Sequence, residues 1–358
     1  MSTTADAARP EFSAAELLRW QEAGCLLGSS PSPFYAELFG RFAADCEQGS
    51  APVADLLAHA PMTINAASPL RLFGGVHRGV LVAEFPELAA TWPTTERPAG
   101  DVDGAYDLLR TLFASPPASV LDALSRDPQT NEVGRSAALA LGLAQIGRLT
   151  RKAIRLFEIG SSAGLNLRLD SYFCDGGATT WGSPDAALQF GAECYEKPAD
   201  FAGATPIIER RGCDINPIDA TTNDGAATLM SYVWPDQFTR LDRLRRALEI
   251  ARAIPAGVDV QSADEWVDRR VVTVPDTATV LMHSVMWQYM PDAVQNRITA
   301  TLAERGAAAT DDAPLALVSM EPGPQAIAMD LSVTLWPGGD REVLAHCGGH
   351  GPPIEPLE

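Results

Sequence analysis

Apolar residues in the first 150 positions recur at helical spacing. Phe34, Leu38 and Phe42 lie four residues apart behind Ser32-Pro33, where serine is a preferred cap and proline a preferred first helical residue. The spacing of Ser13 and Glu16 is that of a capping box and predicts an earlier helix start. Because no alternating strand pattern stands out, residues 1–150 are predicted to form a helical N-terminal domain. Its further helices are expected at 53–59, 102–114, 117–125 and 136–149.

From residue 151 onward, short apolar runs alternate with helical ones. This alternation indicates right-handed crossovers and a parallel sheet covered by helices on both faces. The runs 331–336 and 342–346 flank a Pro-Gly-Gly-Asp turn and predict an antiparallel hairpin. Residues 171–205 are predicted to be a β-hairpin insertion. We therefore expect an α/β domain over 151–358, with a Rossmann-like, mostly parallel sheet. Its strands are predicted at 154–159, 206–213, 258–261, 279–283 and 315–321.

The charge of the chain excludes one class of partner. Its 358 residues include 46 acidic and 27 basic side chains, a formal net charge of −19. Binding to a nucleic-acid backbone needs clustered cations, so we expect no nucleic-acid partner. The densest arginine run, at 240–252, is interleaved with acids on a predicted helix, which is typical of a solvated, salt-bridged face.

Neither a membrane nor a metal is expected as a partner. No apolar run reaches the roughly 18 residues that span a bilayer, and the first 12 residues show no secretory pattern. The six cysteines lie far apart without a Cys-x-x-Cys pair, which favours a reduced cytoplasm. His346, Cys347 and His350 are metal-ligand types, but the glycines and prolines around them favour a terminal glycine loop without a metal.

The strongest chemical motif is Glu158-x-Gly160-x-Ser162-x-Gly164, between the first predicted strand and a helix start. Glycines let the backbone turn tightly and let a ligand approach the amides there. Asp214 ends the second predicted strand, where a carboxylate can accept hydrogen bonds from ribose hydroxyls. Asp264 follows the third strand and could bind an exocyclic amine. The pattern predicts a nucleotide-type crevice at the carboxyl ends of the strands.

This arrangement resembles class I methyltransferases that bind S-adenosylmethionine, over roughly 151–346. Two departures are that Ser162 stands in place of the middle glycine, and that Asp214 follows Glu158 by 56 residues where about 20 is usual. The insertion at 171–205 can account for the excess. The resemblance implies S-adenosylmethionine as cofactor and a small molecule as methyl acceptor. It implies these cofactor-binding residues: Glu158, Gly160, Ser162, Gly164, Asn166, Asp214 and Asp264.

His283 and Tyr289 are the candidate catalytic residues. His283 ends the fourth predicted strand, where the methyltransferase fold places substrate-facing residues, and a histidine there can act as general base near neutral pH. Tyr289, or Trp287, would form an aromatic wall for the substrate. The alternative for His283 is a hydrogen-bonded histidine packed at a strand end. Glu321, after the fifth strand, either faces the same crevice or is a capping or solvated acid.

Several phrases of the chain are similar to the bacterial family called domain of unknown function 2332, whose members have no assigned reaction. These phrases are Thr130–Ser136, Gly160–Leu167, Ser231–Gln237, His283–Tyr289 and Gly349–Pro353.

Two other functions are open. Gly160-x-Ser162-x-Gly164 is also the nucleophile-elbow pattern of α/β-hydrolases, with Ser162 as nucleophile and His346 or His350 completing a triad. Against it, the elbow normally follows several strands, and no His-Gly-Gly segment precedes it. The third possibility is a non-catalytic protein that binds a nucleotide-type ligand.

Overall fold

The computed structural model describes residues 31–49, 52–59, 68–324 and 328–357, so the helix start predicted at Ser13–Glu16 lies outside it. Residue contacts divide the chain into two compact units. The helical unit comprises Met1–Gln129 and Ala227–Leu241, and the sheet unit comprises Thr130–Ala226 and Asp242–Glu358. The division predicted at residue 150 differs from this one. Residues 130–150 contact the sheet, and 227–241 belong to the helical unit.

The helical unit has an aromatic core. Its first helix begins at Pro33 with Ser32 as cap, because the Ser32 hydroxyl accepts a hydrogen bond from the Tyr35 amide at 3.2 Å. This confirms the predicted start, and the helices predicted near 53–59, 102–114 and 117–125 are present as well. Trp234, from the Ser231–Gln237 phrase, is buried in this core. The helices are α1 Pro33–Glu47, α2 Pro52–His59, α3 Ser68–Leu81, α4 Pro86–Ala89, α5 Val102–Ala114 and α6 Ala118–Ser125.

The sheet unit follows the predicted alternation of strands and helices. Three helices lie wholly in this unit: α7 Ser136–Thr150, α10 Ala263–Arg270 and α11 Asp292–Ala308. Two others, α8 Asn223–Ser231 and α9 Phe238–Ala253, are divided between the units, because 227–241 belongs to the helical unit. Its strands are β1 Ala153–Ile159, β2 Phe173–Asp175, β3 Thr180–Trp181, β4 Gln189–Phe190, β5 Ile207–Asp214, β6 Gly257–Val260, β7 Thr277–Ser284, β8 Leu315–Pro322, β9 Met329–Trp336, β10 Asp340–Gly348 and β11 Gly351–Pro356.

The main sheet has eight strands in the order β11-β10-β9-β8-β7-β1-β5-β6. The five strands from β8 to β6 are parallel, and the run from β8 to β11 is antiparallel. Counted along the chain, the parallel strands therefore lie in the order third, second, first, fourth, fifth. The order reverses between β1 and β7. This is an α/β fold with a mostly parallel sheet and a C-terminal antiparallel run, as expected at that level.

Helices cover both faces of the sheet. On one face α7 lies so close that a Cβ on its Gly142 would be 2.7 Å from the Val318 side chain. On the other, α10 and α11 contribute Trp266 and Ile298 to a core that includes Phe157 of β1. Parallel strands that are buried on both faces consist of continuous apolar runs, and the short apolar runs after residue 151 match this pattern.

Three local predictions need correction. The insertion at 171–205 is a three-stranded sheet, because β4 adds in parallel to the β2–β3 hairpin. The helix expected to start directly after the Gly160–Gly164 turn is a six-residue 3-10 helix, Asn166–Ser171. The expected terminal glycine loop contains β11, whose prolines are tolerated because β11 is an edge strand.

Candidate functional site

The turn after β1 has the backbone that its glycines suggested. Gly160 and Gly164 have φ values of +62° and +66°, in the left-handed region that favours glycine. Ser162 lies there too, with φ of +50°. Its amide donates to Asp214 Oδ2 at 2.9 Å, so the carboxylate that ends β5 holds the turn that follows β1. The structure therefore brings together the first and second predicted acidic positions.

Glu158 is a buried carboxylic acid at the end of β1, with 2 % of its surface exposed. Burial, and secondarily the charge of Asp214, raises its pKa from 4.5 to about 8. Arg135, Arg168 and a hydrogen bond from Asn166 oppose this shift. Its Oε2 atom is buried and has no hydrogen-bond partner among the described residues. At pH 7 the group is therefore mostly protonated, and its Oε2 atom has unused hydrogen-bonding capacity.

The family phrase Thr130–Ser136, which leads into α7, also builds this site. Asn131 Oδ1 accepts from the Leu165 amide at 2.9 Å, and the Ser136 hydroxyl donates to Asn166 Oδ1 at 2.7 Å. Because Asn166 Oδ1 is occupied in this way, its amide group is directed to Glu158. The family phrase Thr130–Ser136 was the available signal, since helical periodicity says nothing about side chains that precede the helix.

The same segment packs against the C-terminal phrase Gly349–Pro353. Arg135 donates to the Gly349 carbonyl at 3.1 Å and to the Ser284 carbonyl at 3.2 Å. A Cβ on Gly351 would lie 2.2 Å from the Gly134 carbonyl oxygen, so the two backbones approach too closely for a side chain. Two phrases more than 200 residues apart thus meet beside the turn after β1.

Asp214 and Asp264 differ in what they offer a ligand. Each oxygen of Asp214 accepts one backbone amide, from Ser162 and from Asn216, both at 2.9 Å, and a carboxylate oxygen can accept a second hydrogen bond. Asp264 lies in the first turn of α10. One of its oxygens is bonded to the Ser262 hydroxyl and the other to Arg297 at 2.8 Å. The Ser262 bond is the main reason that its pKa is lowered.

Buried His283 and partly buried Glu321 form a pair at the ends of β7 and β8. His283 Nδ1 lies 2.7 Å from Glu321 Oε1, and the imidazole is 3 % exposed. A carboxylate at Nδ1 favours the tautomer with hydrogen on that atom, which leaves Nε2 as an acceptor. Trp287 stacks on the imidazole with 5.0 Å between ring centroids. The sequence left Glu321 open between this crevice and a capping or solvated position, and it did not indicate the pairing with His283.

Tyr289 is exposed, unlike the buried His283. It ends the short 3-10 helix Trp287–Tyr289 and is 76 % exposed. Its catalytic role stays a prediction from the sequence.

A second histidine–carboxylate pair lies on the antiparallel strands. His346 Nδ1 is 2.9 Å from Asp330 Oδ1, and the histidine is 46 % exposed. Across the described ranges, the His, Cys, Asp and Glu side chains make no group of three or more that could hold a metal ion.

Ser162 has the backbone conformation of a nucleophile elbow but lacks a positioned base within the described ranges. Its left-handed backbone matches a strained turn after a strand, and its hydroxyl is buried. However, its Oγ has no hydrogen-bond partner among the residues that the structure describes, so no base is positioned on it.

These contacts define an α/β protein with a polar site at the carboxyl edge of its sheet, where β1 and β7 meet. The chain belongs to the family described as uncharacterized proteins conserved in bacteria (DUF2332), whose model matches residues 15–355. No curated protein and no solved structure matches the chain significantly. Within the described ranges, no helix has the length and apolar character needed to cross a membrane.

Proposed function

We propose that this protein is an S-adenosylmethionine-dependent methyltransferase that acts on a small molecule, with its site between the ends of β1 and β7. The main support for this proposal is that the turn after β1 and the His283–Glu321 pair flank the position where the strand order reverses. In doubly wound sheets, ligands bind at the carboxyl ends of the strands on either side of that position. The order third, second, first, fourth, fifth supports a Rossmann-like sheet for the same reason.

The residues at this edge fit an adenosyl ligand in two places. Glu158 offers a buried carboxyl atom without a partner, and Asp214 keeps acceptor capacity beside the glycine turn. The cofactor carries no phosphate, so the short 3-10 helix after the turn, which is a poor anion site, does not argue against it. Asp264 fits less well, because its carboxylate is already ion-paired with the Arg297 guanidinium, whereas Asp214, within the described ranges, accepts only from two backbone amides.

In this proposal the cofactor supplies an activated methyl group, and the protein supplies position and proton transfer. Asp214 would hold ribose hydroxyls, and Glu158 the amino-acid end of the cofactor, with Gly160, Ser162, Gly164 and Asn166 shaping the turn between them. His283 Nε2 would take the proton of an O–H or N–H acceptor. Glu321 would stabilise the imidazolium that results, since it accepts the hydrogen on Nδ1.

The catalytic part of the proposal is tested with His283→Gln. We expect transfer of a labelled methyl group from S-adenosylmethionine to a deproteinised bacterial extract to fall by about 100-fold or more, because a general base contributes that much. Binding of S-adenosylhomocysteine should be retained. The matched control is His346→Gln, which removes the other carboxylate-paired histidine and should leave transfer within about threefold of wild type. Equal losses in both variants would count against His283 as the base.

The left-handed backbone and buried hydroxyl of Ser162 support a second candidate, an acyl hydrolase. It predicts covalent labelling by a fluorophosphonate that disappears in Ser162→Ala. If the wild-type protein is not labelled while a known serine hydrolase in the same tube is, this candidate is eliminated. Ligand binding without any turnover would instead favour a non-catalytic binding protein.

A further inference from the structure

Met286 lies directly on the glycine turn. A Cβ built on Gly160 would be 2.8 Å from the Met286 Cε atom and 2.9 Å from its Cγ. The Met286 side chain thus covers the turn after β1 from the segment that follows β7, across the position where the strand order reverses. A ligand that approaches Gly160 from this side meets the thioether first.

The backbone that delivers Met286 is strained. Val285 has φ of +50°, and a β-branched residue in the left-handed region is a genuine outlier. Such strain persists only where surrounding contacts impose it, and it collects at switch regions and ligand clamps. The amide of Val285 donates to the Met320 carbonyl at 2.9 Å, which fixes the start of the segment to β8.

Glu321 supplies the contact that holds the segment in place. Its Oε1 atom receives the Met286 amide at 3.1 Å, the Trp287 amide at 3.3 Å and His283 Nδ1 at 2.7 Å. One carboxylate oxygen therefore joins the candidate base to the segment that covers the glycine turn. Trp287 adds to this connection, because its ring stacks on His283.

We propose that residues 285–289 form a lid over the glycine turn, and that Glu321 is the latch that holds the lid closed and His283 oriented. In the closed arrangement Met286 occupies the space above Gly160, and a ligand enters by displacing it. Glu321 then acts as a positioning residue, since it sets the lid and the imidazole at the same time. The lid follows from the contacts themselves, whereas its displacement by an S-adenosyl ligand rests on the proposed function.

The lid is tested without any ligand by amide hydrogen exchange at Met286 and Trp287. Val285→Gly relieves the strain of the closed lid, so we expect both amides to exchange about fivefold more slowly than in wild type. Glycine in an ordinary loop would speed exchange, so the direction is diagnostic. Glu321→Gln replaces the charged acceptor with a neutral one, and we expect exchange about tenfold faster at these two amides, with the Leu281 amide inside β7 unchanged.

The effect of Glu321 on His283 is measured separately, by the tautomer of the imidazole. In wild type we expect the nitrogen shifts of the imidazole to report hydrogen on Nδ1, and in Glu321→Gln we expect a mixture of tautomers. Faster exchange in Val285→Gly at both amides, or an unchanged imidazole spectrum in Glu321→Gln, would overturn the proposal.

Displacement of Met286 is tested by calorimetry with S-adenosylhomocysteine. Met286→Ala empties the space above Gly160, so we expect the ligand to bind about tenfold more tightly than to wild type. Met286→Leu keeps the volume and should bind within about threefold of wild type. Equal or weaker binding by Met286→Ala overturns the displacement. If neither wild type nor any variant binds S-adenosylhomocysteine, the proposed function is wrong. The hydrogen-exchange results then still show whether residues 285–289 form a lid.

Discussion

Replacing Glu158 by glutamine is expected to stabilise the protein above neutral pH and to flatten its dependence on pH. In the folded state the Glu158 carboxyl has a pKa of about 8, and in the unfolded chain about 4.5. Between these values the folded state binds one proton more than the unfolded state, so the wild-type stability falls as pH rises through this window. Integrated over the whole window, this group alone lowers the free energy of unfolding by about 5 kcal/mol.

The difference between the two proteins should therefore be small near pH 4.5, reach about 4 kcal/mol in favour of Glu158→Gln at pH 8, and level off at about 5 kcal/mol above it. Urea denaturation at a series of pH values measures it. Glu304→Gln removes an exposed carboxyl on α11 and serves as the control, which should follow wild type across the range. A constant difference between Glu158→Gln and wild type from pH 4.5 to 8.5 would contradict the buried, protonated acid.

Gly351→Ala is expected to be among the most destabilising single methyl additions in the sheet unit. Gly351 has φ of +96°, and its Cβ would lie 2.2 Å from the Gly134 carbonyl oxygen and 2.4 Å from the carbonyl carbon. Both contacts are with backbone, which cannot rotate away as a side chain can. We expect a loss of about 3 kcal/mol or more, measured by thermal or urea unfolding.

Gly349→Ala is the matched control in the same phrase. The nearest atom to its Cβ would be the Met329 Cε atom, at 3.8 Å, which is ordinary contact. We expect a change within about 1 kcal/mol. If both variants lose the same stability, the phrase Gly349–Pro353 does not pack on Gly134 as described.

The alternation of strands and helices in the sheet unit was predictable, because parallel strands buried on both faces appear in the sequence as short apolar runs. The end of β5 at Asp214 and the end of β7 at His283–Ser284 were within a residue of their predicted positions. Since the carboxyl ends of parallel strands share one edge, the sequence also grouped Glu158, Asp214 and His283 at that edge.

Helix α3 shows what local pattern could not predict. Its sequence carries three glycines, Gly74, Gly75 and Gly79, and each lowers helix propensity. The structure uses them for close approach: a Cβ on Gly75 would be 2.6 Å from the Ala123 Cβ, and one on Gly79 would be 2.1 Å from the Phe85 ring. Tertiary packing overrides propensity here, and only the partners reveal it.

The side-chain contacts of the site also could not be predicted from the sequence pattern. Pattern placed His283 and Glu321 at strand ends but could not show that they pair at 2.7 Å. Nor could it show that Asn131 and Ser136, 30 residues or so before the glycine turn, bond to Leu165 and Asn166. Such contacts depend on where α7 lies on the sheet, and periodicity fixes the face of a helix without fixing its position.

Binding of an S-adenosyl ligand at this edge of the sheet is tested by calorimetry of the wild-type protein with S-adenosylhomocysteine. Titrations at pH 7 in two buffers of different ionisation enthalpy add a second readout. Glu158 is mostly protonated before binding, so capture of the ligand's ammonium group should release close to one proton, and the observed heat should differ between the buffers. We predict saturable binding with this buffer dependence. Absence of heat with S-adenosylhomocysteine and with S-adenosylmethionine, in protein shown to be folded, would mean that this edge of the sheet does not bind an S-adenosyl ligand.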